Sequence, residues 1–134
     1  MEPREDEPLD KDRIILDIVS RDPRYHAEAY DYVFEALDFT MQRRGGGAKH
    51  VTGHEIMGSV RDLAIQQFGF LARSVLAAWG VHRTDDFGEI VFNLIDADLL
   101  QKTANDRRED FSELYEFDEV FTRGFSEALQ SVDI

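Results

Sequence analysis

Four histidines and one glycine-rich basic loop are the places where this chain can carry chemistry. His50 and His54 stand four residues apart, a spacing by which two imidazoles on one helical turn share a metal. Thr52 falls between them, however, and opens a capping box with Gly53, His54 and Glu55: the Thr hydroxyl takes the Glu55 amide while the Glu side chain reaches back. A helix that starts at Thr52 breaks the register a two-histidine site needs. His54-Glu55 also lacks the second histidine of an HExxH site. His82 sits in a turn beside Arg83, where it caps carbonyls near Gly80 or meets solvent. No local spacing joins a nucleophile, an orienting base and an oxyanion site. No catalytic, cofactor-binding or metal-ligating set is expected.

The basic loop runs from Arg43 through Arg44, three glycines and Ala48 to Lys49 and His50, and it is the densest positive cluster in the chain. Glycines that follow a helix can cradle phosphate. The GxxxxGK(S/T) pattern is absent and no strand precedes the loop, so it reads as a flexible linker. Arg43, Arg44 and Lys49 are nevertheless the candidate anion-binding residues.

Residues 79–103 (WGVHRTDDFGEIVFNLIDADLLQKT) read as a turn, a helix capped at Thr84 and a short strand. Phe87, Ile90, Val91 and Leu94 recur at helical spacing on one face; Asp85, Asp86, Glu89, Asn93 and Asp96 gather on the other. Gly88 leaves room for a close-packed neighbour beside Phe92. With the two preceding helices and a strand at residues 99–103, the order over residues 54–111 matches a winged helix-turn-helix. In DNA-binding versions the third helix enters the major groove and basic residues meet phosphate. Here every formal charge on the outward face is negative, and Arg107 and Arg108 in the expected wing turn are flanked by Asp106, Glu109 and Asp110. Such a helix repels phosphate and offers no Arg to guanine. Nucleic acid is therefore not an expected partner. His82, Arg83, Asp85, Asp86, Glu89 and Phe92 are the candidate partner-binding residues, suited to a protein with a basic or apolar surface.

Composition sets the frame for these sites. The 134 residues, 43% hydrophobic with ten Phe, are long and apolar enough for one packed domain. A formal charge of −13 disfavours polyphosphate and anionic lipid and favours cationic partners. There is no Cys, which removes disulfides and thiolate sites. No apolar run approaches the ~18 residues of a membrane span, and no signal-peptide pattern appears. A cytoplasmic protein that neither crosses nor binds a membrane is expected.

Along the chain, residues 1–9 are expected to form a disordered acidic lead-in and residues 10–134 a single domain. Asp10 or Asp12 caps a short helix bearing Ile14, Ile15, Ile18 and Val19. Asp22 and Pro23 suit the start of a second helix reaching about Arg43, apolar over most of its circumference through Tyr25, Ala29, Tyr30, Tyr32, Val33, Phe34, Ala36, Leu37 and Phe39. Such a helix is central or meets a second copy, so a homodimer is also expected. Helices follow from Thr52 to Gly69 and from Phe70 to Trp79. Residues 109–115 fit either a returning strand or a helix, and a final helix from Asp118 carries Phe121, Phe125, Ala128, Leu129 and Val132. The fold class expected is mainly α (α+β), a helical domain with a small β-hairpin and a winged-helix-like second half.

Residues 50–53 (HVTG), 67–69 (QFG) and 79–94 (WGVHRTDDFGEIVFNL), with 108–111 (REDF) and 117–119 (FDE), resemble an uncharacterised family restricted to Verrucomicrobia and Planctomycetes. The resemblance spans most of the chain after Asp10 and implies no activity, substrate or catalytic residue. It directs attention to residues 79–89. The sequence thus leads first to a non-catalytic protein-interaction module, and second to an enzyme or small-anion binder whose site is assembled from distant residues.

Overall fold

The helices obey the stop signals of the sequence more closely than its start signals. The computed structural model describes residues 1–4 and 8–122. Helices α1 (Lys11–Arg21), α2 (Ala27–Arg44), α3 (Gly53–Phe68), α4 (Ala72–Ala78) and α5 (Thr84–Asp96) follow in order, with 3-10 turns at Gly69–Leu71 and Arg108–Phe111. Strands β1 (Glu2–Pro3) and β2 (Leu100–Gln101) pair antiparallel, Glu2 opposite Gln101 and Pro3 opposite Leu100. The chain is mainly α with a small antiparallel sheet. Residues 117–122 are helical too; Phe125, Ala128, Leu129 and Val132 lie outside the described residues. No helix among the described residues is long and apolar enough to cross a membrane.

Helix α2 is the central element. Ala29, Tyr30, Tyr32, Val33, Ala36 and Leu37 are buried, and α1, α3 and α5 pack around them. On its flank Phe34 lies beneath the Lys11 ammonium, 3.6 Å from the ring centroid. Its broad apolar face is thus covered within one chain and requires no second copy. Helix α3 enters through the capping box: the Thr52 hydroxyl accepts the Glu55 N–H and the Glu55 carboxylate accepts the Thr52 N–H, both at 3.1 Å. It ends at Gly69, as its sequence requires.

Two starts differ from expectation because long-range partners claim the capping residues. Asp22 does not cap α2. Its N–H closes α1 on the Ile18 carbonyl, and its carboxylate takes Arg24 at 2.7 and 2.8 Å and the Asn93 amide at 3.0 Å. The helix begins only after Tyr25 has turned into the core, with His26 as cap: its Nδ1 accepts the Glu28 N–H. At α5, Asp86 rather than Thr84 secures the first turn, accepting the N–H groups of His82 (2.8 Å) and Arg83 (3.2 Å). Thr84 is fully buried, and its hydroxyl accepts the Leu114 N–H at 3.1 Å.

The disordered lead-in expected over residues 1–9 fails at residues 1–4. Met1 is a core side chain, and its amine donates to the Val51 carbonyl (2.9 Å) and pairs with Asp106 (2.7 Å). Arg4 then bonds Asp98. An apolar first side chain with a buried counter-charge offsets the entropy of ordering the terminus. Strand β2 therefore finds its partner at the chain start rather than in a following wing strand, and the winged-helix expectation for residues 54–111 loses its wing. In its place the Arg108–Phe111 turn seats Phe111 against Gly53 and Gly88.

Burial pushes the Asp106 carboxyl up, but the Met1 amine and the N–H and O–H of Thr103 outweigh it, so it titrates below the ordinary carboxylate range. A depressed folded-state value stabilises above the unfolded value and is lost as pH falls through the folded one. Asp106→Asn keeps an acceptor for Thr103 but removes the charge, and should cost about 2 kcal/mol at neutral pH. That penalty should shrink below about pH 4, where the carboxyl of the unfolded native-sequence chain protonates while the folded one is still charged. Urea melts of both proteins from pH 7 to pH 3 measure it; a penalty constant across that range would contradict the assignment.

Candidate functional site

The six candidate partner-binding residues lie along α5 and the turn before it, and the structure spends most of their polar groups internally. Asp85 accepts from the Ser112 hydroxyl and the Glu113 N–H. Asp86 accepts from the Tyr25 phenol at 2.8 Å as well as from the turn before it. Burial first, and then the Asp86 charge it donates to, push that phenol well above its usual range. Glu89 pairs with Arg108 at 2.6 Å and Arg24 at 3.6 Å. Phe92 is 8% exposed, under the Arg108 guanidinium 5.0 Å from its ring centroid. Tyr30 is buried as well and accepts from Asn93. The acidic face is therefore a joint that ties residues 22–26 and 107–114 to α5. Only His82 and Arg83 of the six are exposed. They line a cleft of about 500 Å³ together with Thr84, Asp85, Glu113, Tyr115, Glu116 and Phe117, where carboxylates outnumber the single guanidinium.

The basic residues arrive at a different site. Helices α2 and α3 run back to back through the glycine loop, which brings Arg43 and Arg44 at the end of α2 beside the first half of α3. Helical spacing puts His54, Gly58, Arg61 and Asp62 on one face of α3, opposite Ile56, Val60 and Leu63. The result is a cleft of about 270 Å³ lined by Thr40, Arg43, Arg44, His54, Glu55, Gly58, Ser59, Arg61 and Asp62.

The ion pairs inside this cleft set its electrostatics. Asp62 takes Arg43 on one oxygen (2.8 Å) and Arg61 on the other (3.0 Å). One carboxylate thereby orients two guanidiniums and leaves the trio one positive charge in excess. The Arg43 guanidinium also lies 5.1 Å from the Phe39 ring centroid. Arg44 pairs with Glu55 and donates to the carbonyls of Ala48 and His50, each at 2.8 Å, so it shapes the glycine loop from within. The Arg44 hydrogen bond, opposed by burial and helped by the Thr52 N–H, holds the Glu55 carboxyl below its ordinary value. At the back, Thr40 donates to the Ala36 carbonyl and shares a 2.6 Å hydrogen bond with Ser59. Lys49 does not line the cleft.

Sequence reading found Arg43 and Arg44 but missed His54, Gly58, Ser59, Arg61 and Thr40 as companions. The i, i+4, i+7, i+8 spacing of His54, Gly58, Arg61 and Asp62 was the available signal. Their proximity to Arg43 needed the antiparallel packing of two helices. Among the described residues no three His, Asp or Glu side chains are placed to share a cation. No protein-family model, curated protein or solved structure matches the chain.

Proposed function

We propose that this protein binds a small anionic molecule in the cleft between α2 and α3. The observation that carries the reading is the convergence of Arg43, Arg44, Arg61 and His54 on one recess in a chain of net charge −13. Guanidiniums match phosphate and carboxylate oxygens with paired N–H groups, and a guanidinium already oriented by a carboxylate loses less freedom when it binds. Asp62 supplies that orientation to two of them. Docking of a basic partner on α5 is the weaker reading, because the carboxylates it would use already hold internal donors and Phe92 is buried.

Titration with inorganic phosphate, followed by amide chemical shifts, is the direct test. At constant ionic strength, shifts should concentrate at Gly58, Ser59 and Arg61. Arg43→Gln with Arg61→Gln should weaken binding at least about tenfold while leaving the fold intact, since both side chains are half exposed. Absence of saturable shifts at millimolar phosphate, or shifts equal to those given by chloride, would overturn the reading.

A further inference from the structure

The cleft contains a helical glycine that packing does not explain. Gly58 lies in the interior of α3, where alanine is the better helix former. A Cβ built there meets no atom within 4 Å, so no neighbour forbids a side chain. That Cβ would instead stand in the open space of the cleft, which Gly58 lines. Bare backbone at such a point lets a ligand approach closely. The cleft is also roomier than one tetrahedral oxyanion needs.

Its hydrogen-bonding polarity adds a second constraint. Thr40 spends its proton on the Ala36 carbonyl, so in the Thr40–Ser59 pair the Ser59 hydroxyl donates. Ser59 then offers lone pairs and no proton. Glu55 and Asp62 are acceptors as well. Away from the guanidiniums and the His54 imidazole the recess presents acceptors only, which call for a ligand with donor groups. An ammonium would be repelled by three nearby guanidiniums, whereas neutral hydroxyls are not.

Resting on the anion-site reading, we infer that the ligand is a phosphorylated polyol whose phosphate meets Arg43 and Arg61 and whose hydroxylated body lies over Gly58. Calorimetric titration of the full chain with inorganic phosphate and with glycerol phosphate tests it. Glycerol phosphate should bind about tenfold more tightly, the gain of one or two added hydrogen bonds. Gly58→Leu, a good helix former at an uncrowded site, should abolish that advantage, so that the variant binds glycerol phosphate no more tightly than it binds inorganic phosphate. Its circular dichroism spectrum should match that of the parent. Equal affinity for the two phosphates, or an advantage that survives Gly58→Leu, would overturn the polyol inference while leaving the anion site standing. Binding of neither would overturn both.

Discussion

Gly80→Ala is expected to destabilise the protein by about 3–5 kcal/mol, a large part of the ~5–15 kcal/mol that holds a domain of this size together. Gly80 has φ +86°, in the left-handed region that disfavours a Cβ. A Cβ there would also stand 2.1 Å from the carbonyl oxygen of Arg24. That obstacle is backbone, so no rotamer change relieves it, and the loop before α2 would have to withdraw. Withdrawal breaks the hydrogen bond from the His26 N–H to the Trp79 carbonyl (3.0 Å) and pulls Tyr25 away from Asp86. Strain and loss of contacts therefore add. The urea midpoint should fall sharply with little change in slope. A loss under about 1 kcal/mol would mean that the two loops are not in contact in solution.

The same junction shows what the sequence made legible and what it hid. Helix stops at Gly69 and Gly80, the Thr52 capping box, and the buried face of α5 through Phe87, Ile90, Val91 and Leu94 all follow from local rules, and the structure has each of them. The space beside Gly88 was legible too, though not its occupant, Phe111. What escaped was decided by partners far away in sequence. Asp22 looks like a helix cap until Arg24 and Asn93 claim it; the Arg24 hydrogen bond, against the opposing effect of burial, holds its carboxyl far below the usual range. The acidic stripe of α5 looks like a docking face until Tyr25, Arg24, Arg108 and the Glu113 N–H arrive from two separate segments. A helical wheel reveals which side chains share a face. It does not reveal what covers that face, and the charge of an uncovered stripe is a poor guide to function.

The candidate site was split in the same way. Arg43 and Arg44 announce themselves as a basic run before glycine. Arg61 looks like one more exposed charge until α3 folds back along α2 and Asp62 joins it to Arg43. Gly58 is the subtler case, because a helical glycine normally counts only as a defect. Its meaning depends on the empty space above it, which is a property of tertiary structure alone.

Phe111→Ala should likewise cost about 3–5 kcal/mol, the range for truncating a fully buried phenylalanine. Phe111 is 2% exposed and anchors the 3-10 turn that stands where a wing strand was expected. Its Cβ lies 2.9 Å from where a Cβ on Gly88 would be, and its ring lies 3.2 Å from the same point on Gly53. Two glycines on α5 and α3 thus form the socket for one ring. The nearby Arg108–Glu89 pair is part-exposed and contributes at most about 1 kcal/mol, so burial of the ring dominates the docking of this segment. Gly88→Ala alone should cost about 1–3 kcal/mol by crowding the ring. Because alanine at 111 removes the ring atoms 3.1 and 3.3 Å from a Cβ on Gly88 and keeps only the Cβ of its own, the double variant should be less destabilised than the two single losses added together. A double-mutant cycle in urea resolves this coupling. Strict additivity would show that residues 108–111 do not rest on α5, and with that the covering of its acidic face would fail.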